Sequence, residues 1–397
     1  MHILLAADQY PEFHNGAGAA TERLAGGLAA RGHTVTVVYP AADGRRSRRL
    51  HDGRHEERLT SILLPRGQGV RVCLPTRAAR EVAEVLRSAA PDVVHVQSHF
   101  LVGRVVTSAA RRAGVPVVAT NHFMPENLLP HVPAPTMLRR RLGEWAWRDL
   151  ARVFRQAELL TTPTDRAAQV LAERTSLPPA RVVSNGIDLQ RFSPEPSDWP
   201  SEDDPFVLFV GRLEEEKRVD DLLRAFAALP DGVRSRLVFI GTGSRGPLLH
   251  QLARDLGVAN RVEFWGNVDN ETLRRAYAEC AVFCAPGIAE LQSLVTLEAI
   301  ASGAPVVAAD AVALPHLVHH GRNGYLYPPA HPEQLTAHLV NLLTSPALRH
   351  RMGAESRRIA QTHDFSATLD AYLECYQDVA RKARRLPAAP ADTAVAA

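Results

Sequence analysis

The chain has 397 residues, 46% of them hydrophobic and 22% charged, with a formal net charge of +3. That composition excludes a disordered or fibrous chain, and the length calls for two domains of roughly 150–200 residues each. Of its 46 basic residues only Lys217 and Lys382 are lysine, so arginine is background and a lysine is informative.

In chain order, short β-branched runs alternate with Ala/Leu/Arg-rich amphipathic stretches. The strand candidates of the first half are His2–Ala6, Thr34–Tyr39, Asp92–Val96, Val115–Thr120, Leu159–Thr162 and Arg181–Ser184. Those of the second are Phe206–Val210, Arg236–Ile240, Val262–Trp265, Val282–Ala285 and Pro305–Ala308. Short, continuously apolar strands joined by helices predict parallel sheets covered on both faces. The fold class expected is α/β, two Rossmann-like doubly wound domains with ligands at the carboxyl ends of their strands.

Between the halves runs a Pro/Ser/acidic stretch, residues 193–204, with the composition of a linker. Charge divides there, +7 over residues 1–198 and −4 beyond. The expected organisation is a first domain over 1–192, a second over 205–365, a helix over 366–386 crossing back to the first, and a disordered tail over 387–397. The basic run from Arg45 to Arg58 reads as a solvated loop. Four scattered cysteines suit a reduced compartment rather than a disulfide framework. Met1–Ala7 lacks the features of a secretory leader, and no apolar run has the ~20 residues needed to span a bilayer. A cytoplasmic protein is expected, peripheral on the membrane at most, with no nucleic-acid partner.

Three segments carry chemistry. Gly241-Thr-Gly-Ser-Arg-Gly246 follows a strand and has the form of a dinucleotide fingerprint, a weak signal alone. Gly211-Arg-Leu-Glu-Glu-Glu-Lys217 also follows a strand. Its Arg212 and Lys217 can converge on one dianion, the first as a planar fork and the second as a point charge. Glu290-Leu-Gln-Ser-Leu-Val-Thr-Leu-Glu298 places one glutamate ahead of a helix start near 291–294 and another inside it. Amides at that start suit phosphate oxygens, and the carboxylates suit hydroxyls at opposite ends of an elongated ligand.

Together with Ser184-Asn-Gly-Ile-Asp188, Gly266-Asn-Val268 and Gly303-Ala-Pro-Val-Val-Ala308, these segments resemble the retaining glycosyltransferases of family GT4 over residues 1–380. The resemblance implies the GT-B fold, with the acceptor mostly on the first domain and the nucleotide-sugar on the second, a UDP-sugar favoured as donor of a hexosyl or N-acetylhexosaminyl unit. It also implies roles. Arg212 and Lys217 would hold the donor diphosphate, Glu290 the transferred sugar and Glu298 the ribose. Amides at Ser293–Leu294 would face the distal phosphate or the sugar, and Gly211, Gly241, Gly243 and Val268 would border the nucleotide. In the first domain, Gly16 and Gly18 match a glycine-rich loop near the phosphates, and His122 matches the histidine beside the sugar. Two departures stand out: Gln292-Ser293 where the family often has glycine, and His316 where it usually has an acid.

No Asp-x-Asp occurs, so metal-independent transfer with no cofactor is expected; the resemblance implies a retaining course, and with no well-placed nucleophilic carboxylate a front-face one. For the acceptor, Asp8, Glu12 and Glu126 form a candidate acidic wall, suited to a small polar molecule, an amine-bearing one included, in antibiotic-type metabolism. The Arg/aromatic stretch Met137–Arg155 offers the alternative of a membrane-surface glycolipid synthase. A non-catalytic nucleotide-sugar-binding protein and an NAD-dependent oxidoreductase complete the alternatives.

Overall fold

A computed structural model describes residues 1–10, 16–64, 71–125, 129, 135–193 and 204–385. Glu12, Glu126 and the tail over 387–397 lie outside the described residues.

The first sheet has eight strands: β1 (His2–Ala6), β2 (Thr34–Pro40), β3 (Ser47–His51), β4 (Arg54–Leu59), β7 (Val93–Val96), β8 (Val117–Thr120), β9 (Leu159–Thr162) and β10 (Arg181–Val182). Their order is β10-β9-β8-β7-β1-β2-β4-β3, parallel except for β3 against β4. A separate hairpin pairs β5 (Ser61–Leu63) with β6 (Arg71–Cys73). The crossover helices are α1 (Gly16–Ala30), α2 (Pro75–Ala89), α3 (Leu101–Arg112), α4 (Thr136–Phe154) and α5 (Asp165–Arg174).

The second sheet runs β13-β12-β11-β14-β15-β16 and is wholly parallel. Its strands are β11 (Phe206–Val210), β12 (Arg236–Ile240), β13 (Val262–Gly266), β14 (Val282–Ala285), β15 (Val306–Ala309) and β16 (Gly324–Tyr327). Helices α6 (Val219–Ala227), α7 (Gly246–Asp255), α8 (Asn270–Glu279), α9 (Leu294–Ala301), α10 (Pro332–Leu343) and α11 (Pro346–Gln361) pack around it. The last helix, α12 (Phe365–Arg385), returns to the first domain. Its Leu369, Tyr372, Cys375, Tyr376 and Val379 share a core with Ile3, Leu5, Leu28 and Val35.

Strand order reverses between β1 and β7 in the first sheet and between β11 and β14 in the second. Such switch points open crevices at the carboxyl ends of strands, so the loops after these four strands are where a ligand has room.

One expectation is corrected. Residues 47–59 are not a solvated loop but β3 and β4, with Glu56 and Glu57 buried. The charges are tolerated because the antiparallel register sets Arg49 opposite Glu56 and Arg48 opposite Glu57, each an ion pair. Tyr39 donates a further hydrogen bond to Glu56 at 2.8 Å. All four cysteines are buried and unbridged. Among the described residues, no helix is long and apolar enough to cross a membrane.

Candidate functional site

The loop after β11 folds against the loop after β12 by backbone contact. Leu213 N donates to Thr242 O (2.9 Å) and Gly211 N to Ile240 O (3.0 Å). Gly241 sits at φ +123°, and a Cβ there would lie 2.1 Å from Gly211 O. A Cβ at Gly243 would lie 2.4 Å from Leu213 O. The fingerprint-like glycines are thus required by one loop approaching another. Gly243→Ala is expected to lower stability by about 3 kcal/mol and to displace residues 211–217. Thermal denaturation with nucleotide titration checks it, and a variant as stable as the parent would remove this reading.

Glu214 fastens the same junction, accepting from Ser244 N (2.9 Å) and Ser244 Oγ (2.6 Å). A short 3-10 turn over Glu215–Lys217 then swings the lysine toward β14. Arg212 donates to the buried Glu216 at 2.6 Å and leaves 49% of its side chain exposed. Lys217 forms an ion pair with Glu290, both largely buried. The two cations therefore flank one loop, each held by a different glutamate.

Glu290 lies in the loop between β14 and α9. Ser293 caps α9, its Oγ accepting from Thr296 N (3.3 Å), and leaves Leu294 as the first helical residue. Glu298, one turn further, accepts from Tyr277 Oη at 3.0 Å. Burial and this carboxylate hold the Tyr277 phenol protonated, well above its usual range. The other oxygen of Glu298 pairs with Arg23 of α1, across the cleft.

The first domain grips this segment at two more points. Thr164 Oγ1 donates to Leu291 O (2.9 Å). Gln292 accepts from Asn185 N (2.7 Å) and donates to Ser184 Oγ (2.9 Å). Gln292, singled out only as a departure from the family pattern, is therefore a bolt between the domains. Arg23 gave no signal at all, since it sits on a helix among 44 arginines.

Gly16 and Gly18 occupy the first turn of α1 rather than a loop, and a Cβ on Gly16 would face Leu294 at 4.0 Å. Val268 packs on the second core just past β13, beside the β12 loop. Asp8 does not line an acceptor wall. Its carboxylate accepts from Val102 N (2.8 Å), Gly103 N (3.3 Å) and Ser98 Oγ (2.5 Å), serving the start of α3. His316 stacks edge-on with His363 at 5.1 Å, while His319 N binds Asn323 Oδ1. The described residues hold no cluster of three or more metal-ligating side chains.

His122 follows β8 and places Nε2 2.7 Å from Gln97 Oε1. Burial pushes its imidazole down to about 4, and does the same to His99 and His363, with His95 at about 3. All four are neutral near pH 7. Below about pH 6.5 the unfolded chain takes up these protons while the native state does not. Stability is therefore lost as pH falls from about 6.5 toward 4, at about 1.4 kcal/mol per histidine per pH unit. Melting temperatures should be level between pH 7 and 8 and drop steeply by pH 5.5.

A cleft of about 420 Å³ opens between the domains, walled by Met124, Val170 and Arg174 on one side and Glu216, Ile288 and Val312 on the other. Ala289, the neighbour of Glu290, lines it, while His122 and Gln97 line a separate, smaller hollow with Asn185 and Tyr372.

Two family models match the chain: Glycosyltransferase Family 4 over residues 14–191 and Glycosyl transferases group 1 over residues 193–359. The chain is 30% identical over 393 residues to a GDP-mannose-dependent alpha-mannosyltransferase of Mycobacterium tuberculosis, covering 96% of this chain and 97% of the relative. It is 33% identical over 333 residues to a D-inositol 3-phosphate glycosyltransferase of Rhodococcus erythropolis, covering 77% and 74%. Among solved structures, a sucrose-phosphate synthase of Thermosynechococcus elongatus superposes with a TM-score of 0.83 at 20% identity over 96% of this chain and 99% of that one. HepE of Anabaena, solved with UDP-glucose, gives 0.74 at 21% over 95% and 100%.

Proposed function

The chain belongs to glycosyltransferase family 4 and is a hexosyltransferase of the GT-B fold; from that premise we propose a specific donor geometry, acceptor class and stereochemistry. The donor is a nucleoside diphosphate hexose, the acceptor a hydroxyl of a small polar molecule, and the anomeric configuration is retained. The observation that carries this reading is the meeting of Lys217 with Glu290 at the switch point of the second sheet, with Glu298 on the next helix.

Lys217 and Arg212 neutralise the diphosphate as the glycosidic bond breaks, and the Ser293–Leu294 amides face its distal phosphate. Glu298 accepts from the ribose hydroxyls and Glu290 from those of the sugar. Among the described residues no second carboxylate stands ready as a nucleophile, so the acceptor hydroxyl enters on the face the diphosphate leaves: its oxygen bonds to the anomeric carbon as the bond to the phosphate oxygen breaks, and its proton passes to that phosphate oxygen. Catalysis then rests on orientation and preorganised charge. With two cations at the phosphates, turnover is metal-independent, and EDTA should leave the rate unchanged.

The mixed-charge 420 Å³ cleft supports a polar acceptor. The inositol-phosphate enzymes make a phosphorylated polyol the first class to test, ahead of an amine-bearing antibiotic precursor, since Asp8 is occupied as a helix cap. Thermal-shift titration with UDP-, GDP- and dTDP-hexoses tests the donor. Stabilisation by at least one supports the reading, and a shift with NAD alone sinks it.

A second reading, a glycolipid acceptor, is favoured by α4. Met137 (77%), Leu138 (49%) and Trp145 (57%) are exposed there among arginines, although Trp147 and Phe154 belong to the core. Salt-sensitive co-sedimentation with anionic vesicles would favour it.

A further inference from the structure

Gln97 is the first residue after β7, and its side chain is buried behind His122. Its amide nitrogen lies 3.2 Å from both ring nitrogens of His95. Equal distances place it over the ring, where an N–H meets the negative face and a carbonyl oxygen would be repelled. The ring nitrogens of His95 are already engaged, Nδ1 with Tyr376 Oη (2.8 Å) and Nε2 with Thr120 Oγ1 (2.6 Å). Thr120 Oγ1 is tied in turn to Thr161 Oγ1 at 2.6 Å. His95 therefore cannot turn, and the orientation of the Gln97 amide follows from it. The amide oxygen is left for His122 Nε2, at 2.7 Å. An amide oxygen has no proton to give, so Nε2 carries it.

We infer that Gln97 is a positioning residue for glycosyl transfer: backed by His95 and Tyr376, it holds His122 as the Nε2–H tautomer and leaves Nδ1 as a bare acceptor for a sugar hydroxyl. This rests on the placement of His122 beside the transferred sugar. Among the described residues Nδ1 has no hydrogen-bond partner, which suits an atom that receives a ligand. The relay ends on α12, so the helix returning from the second domain fixes a group at the sugar site of the first.

The test pairs NMR with kinetics. In protein labelled with ¹⁵N-histidine, the His122 signal, assigned by its loss in His122→Ala, should show a ring N–H at Nε2 protected from solvent exchange. Gln97→Leu should abolish that protection and lower kcat/KM about 10–100-fold. Gln97→Glu, which keeps an oxygen acceptor, should retain the signal and recover most of the turnover. A protected proton at Nδ1 in the wild-type protein overturns the inference even if Gln97→Leu fails to fold. So does a folded Gln97→Leu protein with wild-type turnover. The failure of the underlying reading is distinct: His122→Ala with full activity removes the sugar-site placement, whatever the Nε2 signal shows.

Discussion

Replacing Lys217 with alanine is expected to lower kcat/KM about 10³-fold, ~4 kcal/mol of transition-state stabilisation, in a protein that still folds. The side chain is 20% exposed and its ammonium faces Glu290. A charge in that setting is worth far more than one in water. Two losses act in the same direction: the leaving diphosphate loses its point charge, and Glu290 is left unpaired beside an incoming anion. Lys217→Arg should recover part of the rate, since charge is kept while the compact geometry is not. Arg212→Ala should do less damage, because that guanidinium is half exposed and anchored to Glu216. Near-normal turnover in Lys217→Ala would remove the diphosphate assignment.

Glu298→Ala is expected to act on binding instead. Its carboxylate joins Tyr277, Arg23 and, in the proposed complex, the ribose. Loss of a buried acceptor shared by two donors should raise the donor KM at least about 30-fold, ~2 kcal/mol, with a smaller effect on kcat. Stability should fall by about 1–2 kcal/mol, less than for a fully buried ion pair, because Arg23 is partly hydrated and recovers solvent. Glu298→Gln, which keeps one acceptor oxygen, should lie between. A donor KM unchanged in Glu298→Ala would separate this residue from the ribose.

These two residues were legible in the sequence for a local reason. Lys217 and Glu298 sit in segments whose strand, turn and helix starts are encoded within a few residues, and β11 and β14 lie at their expected positions. The apolar strands were readable because burial on both faces leaves a continuous hydrophobic run. β3 and β4 were not, since their arginines and glutamates look solvated until the antiparallel register pairs them. Asp8 misled for the same reason: the amides it accepts from are more than 90 residues away. Arg23 and Gln292 act through partners equally remote in sequence, and nothing local distinguishes them, or Gln97, from surface polar residues. What could be read was which side chains a single loop carries and where that loop lies in the fold. What could not was the chemistry that one domain lends the other.

The most direct measurement is product analysis by mass spectrometry and NMR, with the purified protein, a panel of nucleoside diphosphate hexoses and polyol, phosphorylated polyol and lipid acceptors, in EDTA. The account predicts an acceptor heavier by one hexose, nucleoside diphosphate released one for one, and the anomeric configuration of the donor preserved. An inverted product, or transfer that proceeds unchanged in Lys217→Ala, would contradict it.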